Sequence, residues 1–401
     1  MDCVQTMQQA SVNKSKLNII YTILVILYPL LSMYSFLGTM LSIADVCAIF
    51  VIFLMVIRFV DSFTFSKLFF AIASFVFFHT CIMLLVNSSI EDYDTMDLLG
   101  TTLRLLLVWF MLSMAQKHFV FDVGKKFLIG FAIVSTIYLF LQYALSFVGV
   151  YIGGGIPFLS DYAFREDVAG YVEQVVQYDL NFRARSFFEE PIHYSLHIIL
   201  AIVLLLFDDE QHPKWVPIVF LSLGVICSMS LLGWIALAFV FLYWVKCSAT
   251  KGHFIRVLIF GMLAIIGVAI LWNTNFVQSV IADKFGGGSI FEDAHFEGYY
   301  TLAMFDTDLF PAFFGNGLIA STTYAAGIPR LLNSFGIIGL ILCLLIFITY
   351  IGKSQDYRTR CILWLFALLN VGSEILFGKF ILLYIAFCIF DKKRKGIWSK
   401  Q

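Results

Sequence analysis

Long apolar runs separated by short polar breaks dominate this chain, and the length of the runs decides what they form. An α-helix needs roughly 20 mostly apolar residues to cross about 30 Å of hydrocarbon. Runs approaching that length lie at 17–37, 40–60, 66–87, 98–115, 127–150, 191–207, 215–230, 231–246, 255–272, 331–350, 359–376 and 378–390. The pattern predicts an all-α polytopic membrane protein with about twelve transmembrane helices. The stretch 215–246 also admits one long kinked helix, which changes the count by one. Residues 1–401 read as a single integral membrane domain with no internal repeat.

Two of the polar breaks are long, 151–190 and 273–330. Loops beyond about 15 residues are usually functional or disordered. These two are rich in aromatic side chains, among them Tyr151, Phe158, Phe164, Phe182, Phe291, Phe313 and Phe314. They are expected to fold back onto the membrane surface with short helices of their own. The runs Gly153–Gly155 and Gly286–Gly288 mark tight or flexible entry points.

Charge then orients the chain. With the N-terminus in the cytoplasm, alternate short segments hold 19 of the 26 lysines and arginines. They run from Lys14 and Lys16 through Lys117, Lys125 and Lys126 to the tail Lys392–Lys395. The other seven, Arg104, Arg165, Arg183, Arg185, Lys284, Arg330 and Lys379, fall on the opposite side. Positive charge concentrates on the cytoplasmic side of membrane proteins. Both termini are therefore expected inside and both long loops outside. The first span reads as uncleaved, since no small-residue cleavage site follows it.

Composition agrees. The chain is 61% hydrophobic and only 13% charged, against about 25% charged in soluble domains. A net charge of −1 gives no case for a nucleic-acid partner. The eight cysteines show no CxxC pair and no metal-ligand spacing, so neither a metal nor a disulfide framework is expected. No G-x-S-x-G, P-loop or HExxH motif is present. Ser228, Ser230 and Gly233 fit a small-residue helix contact better than a nucleophile.

The densest chemistry is Arg183-Ala-Arg-Ser-Phe-Phe-Glu-Glu-Pro191, followed by Ile192-His193-Tyr194-Ser195, where the first long loop re-enters the membrane. Pro191 suits the first turn of a helix, and Glu189 and Glu190 then sit at its positive end. His193 and His197 follow at i, i+4 spacing. A plain structural role, acids capping a helix and arginines balancing them, accounts for each residue singly. Two arginines, two acids and two histidines so close together in an apolar chain favour a site. Arginine forks match phosphate oxygens in bidentate geometry. Ionisable groups inside other spans, Asp45, Arg104, Glu374 and His79, lie toward the same side, where charge at membrane depth is costly. The second loop offers His295 and Glu297, then Phe314-Gly-Asn-Gly317, and Arg330 opens the following span. Gly315 and Gly317 suit a turn, and Asn333–Gly339 suits close helix packing.

These residues resemble the Wzy-type O-antigen and capsule polymerases, grouped with the O-antigen ligases. Members carry an Arg-x-x-Ser-x-Phe-x-Glu-Pro-x-His-like stretch that opens a span after a long outer loop. Arg183, Ser186, Phe188, Glu190, Pro191 and His193 fall at those places. Gly315 and Gly317 resemble a Gly-x-Gly of the second loop, and Gly336–Gly339 a Gly-Ile-Ile-Gly of the next span. The chain departs at Gly288–His295, which has no arginine where members carry a Ser-Gly-Arg-like element; Arg330 or His295 is left for that role.

The resemblance implies a GT-C-like glycosyltransferase of the bacterial inner membrane with periplasmic loops. It implies undecaprenyl-pyrophosphate-linked oligosaccharide as substrate, membrane lipid as surroundings, no cofactor, and a chain-length regulator as a candidate partner. Arg183, Arg185 and Arg330 would hold pyrophosphate. Glu190 or His193, with Glu189 second, would act as base, and His295 and Glu297 would face the acceptor. Rival readings are a ligase that moves the finished glycan to lipid A core, a flippase or transporter of lipid-linked oligosaccharide, and a structural scaffold.

Overall fold

The apolar runs fold as helices. The computed structural model describes residues 15–39, 41–59, 67–87, 95–163, 176, 182–207, 213–247, 309–318, 326–354, 356–373, 375–376 and 379–389. In chain order the helices are α1 Lys16–Leu31, α2 Ile43–Arg58, α3 Lys67–Asn87, α4 Thr95–His118, α5 Phe121–Ser146 and α6 Pro191–Leu206. Next come α7 Trp215–Cys227, α8 Leu231–Cys247, α9 Leu309–Phe314, α10 Gly327–Lys353, α11 Tyr357–Gly372 and α12 Phe380–Ile389. A 3-10 turn at Pro157–Tyr162 lies in the first long loop. Among the described residues there is no strand, only the isolated bridges Tyr34–Ala163 and Ser35–Ser42.

Every predicted span contains a helix except 255–272, which lies outside the described residues. Leu98–Ala115 of α4, the whole of α5, and Gly327–Gly352 of α10 are each long and apolar enough to cross a membrane. Shorter apolar helices include α1, α6, α7 and α8. The outward faces are apolar too, with Phe50, Phe53, Phe70 and Phe78 all exposed. Such faces suit hydrocarbon rather than water.

The stretch 215–246 is a hairpin and not one kinked helix. Trp215 at the start of α7 meets Trp244 at the end of α8, ring centroids 5.6 Å apart. The chain reverses at Met229, a non-glycine residue with φ 55°. Trp234 Nε1 closes the turn by donating to the Ile226 carbonyl at 3.0 Å.

Helix α6 is the hub. It packs against α5, α7, α8 and α11, and every residue from Tyr194 to Leu206 is buried. A helix apolar on all sides belongs inside a bundle. Small residues let its neighbours close in: a Cβ on Gly224 would collide with Tyr194 and Thr136, and one on Gly233 would sit 2.6 Å from Ser195 Oγ. The hydroxyls of Ser195 and Ser228 lie 3.0 Å apart, and Tyr384 of α12 donates to the Leu196 carbonyl at 2.8 Å. Ser228 and Gly233 are thus helix-contact residues, as their size suggests. Interhelical hydrogen bonds of this kind contribute about 0.6–2 kcal/mol each in a membrane protein.

Side-chain contacts sort the helix termini into two ends. At one end Asn18 bonds His118 at 3.1 Å, Phe59 packs on His118, and the Arg358 guanidinium lies 4.6 Å from the centre of the Phe121 ring. The other end gathers Tyr34, Asp45, Arg104, Gln142, Arg183, Glu189 and Lys379.

Helix α10 is broken at Gly336, whose φ of 62° and ψ of −164° are not helical. The break seats the short helix α9. Asn316 N–H donates to the Asn333 carbonyl at 2.7 Å and Gly317 N–H to the Ser334 carbonyl at 3.1 Å. A Cβ on Gly315 would collide with the backbone at Ser334–Phe335, and one on Gly336 with the backbone at Phe313–Phe314. Close packing at Asn333–Gly339 is therefore present, but its partner is α9 and its cost is a helix break that hydropathy does not reveal. Helix α3 adds His79, whose Nε2 meets the Phe314 carbonyl at 2.6 Å.

An apolar cavity of about 440 Å³ lies between α3, α4, α10, α11 and α12. Its lining includes Phe75, Trp109, Phe335, Phe347, Leu376 and Ile385.

Candidate functional site

The segment 182–190 leads into α6 without helical structure. Its pivot is Ser186, at φ 55°. A residue with a side chain seldom adopts that conformation and needs support. Gln142 of α5 provides it: the Ser186 N–H donates to Gln142 Oε1 at 2.8 Å. The Ser186 hydroxyl donates to the Ser135 carbonyl at 2.7 Å, and the Ser186 carbonyl accepts from Gly155 N–H at 3.2 Å. The same Gln142 donates its amide hydrogens to the carbonyls of Gly153 at 2.8 Å and Ile152 at 3.3 Å. One glutamine thus ties both flanks of the first long loop to one helix. Gly154 lets those flanks meet, since a Cβ there would lie 2.5 Å from the Phe188 carbonyl oxygen. Tyr34 fixes the next residue by accepting the Ile156 N–H at 2.6 Å.

Gln142→Leu keeps the size and removes these bonds, leaving buried backbone groups unmatched at about 1–3 kcal/mol each. The expected result is a helical protein whose first loop is cut faster by limited proteolysis. Cleavage at the wild-type rate would show that the amide does not hold the loop.

Pro191 occupies the first turn of α6, as its chemistry predicts. Glu190 is the N-cap residue, but its side chain makes no capping hydrogen bond. The two arginines approach from before the helix. Arg183 Nη2 donates to the Met229 carbonyl at the tip of the α7–α8 hairpin, at 2.9 Å. Arg185 Nη1 donates to the Glu189 backbone carbonyl at 3.0 Å.

Glu189 is 7% exposed. Its Oε2 accepts from the Lys379 ammonium at 2.8 Å and lies 3.7 Å from His193 Nδ1. A buried carboxylate needs such partners. The His193 ring is stacked on Phe380, centroids 5.5 Å apart. Arg183, Arg185, Glu189, Glu190 and His193 are thus brought together at the N-terminus of the hub helix.

His197 parts company with His193. It is fully buried between Phe131 and Phe188, at centroid distances of 5.1 and 5.3 Å, and neither ring nitrogen has a hydrogen-bond partner among the described residues. It is a core residue beneath the site. Two unmatched polar atoms are a liability of about 1–3 kcal/mol, so His197→Leu is expected to preserve or raise the melting temperature in detergent. A drop of several degrees would show that the imidazole is needed.

Arg330 lies in the first turn of α10, at the same end. That turn is bound to the α11–α12 connection: Gly327 N–H donates to the Ser373 carbonyl at 3.1 Å. His295, Glu297 and Glu374 lie outside the described residues. Asp45 and Arg104 form an ion pair at 3.3 Å, and Asp45 also receives the Tyr28 hydroxyl at 2.6 Å and completes a capping box with Ser42. That group is accounted for by helix capping.

The contributors that the sequence pattern does not single out are Lys379, Gln142, Tyr34 and the Met229 carbonyl. A lone amide inside an apolar run was the only available signal for Gln142. Lys379 stood out solely as a cation on the arginine side. Chemically, the cluster offers cations for an anionic head group beside apolar surface, with Glu190 and His193 as acid–base groups. Comparison of the chain with known protein families, with curated proteins and with solved structures returns no match to any of the three.

Proposed function

We propose that this chain is an inner-membrane polysaccharide polymerase, a GT-C-like glycosyltransferase of about twelve spans with its cluster on the periplasmic side. The substrate is undecaprenyl-pyrophosphate-linked oligosaccharide. A hydroxyl of one repeat unit attacks the anomeric carbon of the chain carried on the lipid. The glycosidic C–O bond to pyrophosphate breaks, and undecaprenyl pyrophosphate leaves with the bonding electron pair.

One observation carries the reading: two arginines are held at the start of the deeply buried helix α6, in a bundle whose outward faces are apolar. Cations fixed beside a departing pyrophosphate stabilise the charge that develops on it, by about 3–4 kcal/mol for one well-placed donor. Because Lys379 and His193 converge on the Glu189 carboxylate, Glu189 serves as counterion in this mechanism. Glu190 then takes the proton from the attacking hydroxyl, a step contributing typically 10²–10⁴-fold. The cavity near Leu376 offers apolar room for the isoprenoid chain.

The test is deletion of the gene, with surface polysaccharide read on a gel. A polymerase null leaves core carrying one repeat unit. Bare core would instead assign the ligase reaction, and an unchanged ladder would sink both.

A further inference from the structure

We propose that Lys379 is a third cation of the anion site and that Glu189 is its positioning residue. The inference rests on the function proposed above and adds a side chain that lies 190 positions from Glu189 in sequence.

Glu189 and Lys379 differ in how the fold encloses them. The Glu189 side chain is 9% exposed, whereas the Lys379 side chain is 25% exposed. Burying both charges would cost desolvation that their attraction need not repay, and partial exposure leaves the ammonium within reach of a ligand. Here the acid is sunk and the ammonium stands at the open side of it. An ammonium has three N–H donors, and Glu189 Oε2 takes one of them at 2.8 Å. Among the described residues the other two donors have no partner, and a ligand can take them.

The surroundings indicate which ligand. Arg185 holds the backbone carbonyl of the same Glu189 at 3.0 Å, so a guanidinium and an ammonium flank one residue. His193 approaches Glu189 Oε2 at 3.7 Å and is stacked on Phe380, the neighbour of Lys379 in sequence. Three residues before Lys379 in sequence, Leu376 lines the apolar cavity. A cationic donor three residues from the lining of a hydrocarbon cavity suits an amphiphile with a phosphate-ester head and an apolar chain. Compact lysine ammonium groups bind such heads as point charges, while arginine grips them as a fork.

The experiment uses the full-length protein in lipid nanodiscs, with farnesyl diphosphate as the probe and farnesol as its uncharged counterpart. Lys379→Met is expected to weaken farnesyl diphosphate binding by about tenfold or more, a charge-assisted hydrogen bond lost, and to leave farnesol binding unchanged. Lys379→Arg should stay close to wild type. Glu189→Gln should also weaken the diphosphate, and the double variant Lys379→Met/Glu189→Gln should be no worse than Lys379→Met alone. The exchange Lys379→Glu/Glu189→Lys restores the ion pair, so it guards against a folding defect; it should recover the melting temperature without recovering diphosphate affinity. Wild-type diphosphate affinity in folded Lys379→Met or in the exchanged protein overturns the inference and makes the pair a plain helix staple. Failure of the wild type itself to bind farnesyl diphosphate overturns the functional reading as well.

Discussion

Arg183→Ala is expected to leave the protein in the membrane at normal abundance and to abolish long polymer, reducing turnover by about 10²–10³-fold. The residue reaches the Met229 carbonyl with one Nη, an anchor that sets where the rest of the guanidinium stands. Arginine's planar fork is fixed by such an anchor in a way lysine's flexible stem is not, so Arg183→Lys should recover little. Glu190→Ala should give the same gel phenotype for a different reason. Its carboxylate stands at the N-cap position of α6, and its removal takes away the proposed base. Membrane abundance by immunoblot and chain length by gel measure the two effects separately. Normal ladders in either variant would remove that residue from the mechanism.

Gly336→Ala should produce the largest structural effect. The glycine adopts φ 62° inside α10, and a Cβ would collide with the backbone of Phe313 and Phe314. With ψ at −164° this is a conformation that essentially only glycine adopts, costing about 1–3 kcal/mol for a residue with a side chain, and the collision cannot be relieved by rotating a side chain. A destabilisation of about 3 kcal/mol or more follows. It should appear as a clear fall in melting temperature in detergent and as loss of folded yield. Gly130→Ala is the control: it is helical, nothing lies within 4 Å of its Cβ position, and alanine favours helix by about 1 kcal/mol. Equal melting temperatures for the two variants would show that the break at Gly336 is not required.

The helices were legible because hydrocarbon thickness fixes the length of an apolar run. Their ends were not. The run 17–37 overshoots α1, which stops at Leu31. Met33, Tyr34, Phe36 and Leu37 are apolar, yet they form a loop in which Leu37 and Gly38 take φ of 50° and 72°. Met33 and Tyr34 are buried against the first long loop instead of crossing the bilayer. The run 127–150 misses the first turns of α5, where Asp122, Lys125 and Lys126 look like flanking loop but are helical. Hydropathy measures what a bilayer tolerates, and helices continue past it.

The candidate site was legible where it is local. Arg183 to His193 sit within a single re-entry, and Pro191 announces the helix they precede. The parts contributed by distant elements carried no local signature. Nothing near Lys379 in sequence resembles a phosphate site, and Met229 contributes a backbone carbonyl that no side-chain pattern can express. His197 shows the converse error, because i, i+4 spacing puts it beside His193 on the helix while the fold seals it beneath Phe188.

Closure of the site by α12 bears on the order of synthesis. Helix α6 leaves the ribosome with its acids in place, but most of its enclosing neighbours, α7, α8 and α11, are made afterwards. Lys379 and Phe380, which engage Glu189 and His193, come later still. A nascent chain therefore carries the arginine-and-acid segment long before it carries a finished cluster, and the proposed site stays incomplete until Lys379 and α12 have been made.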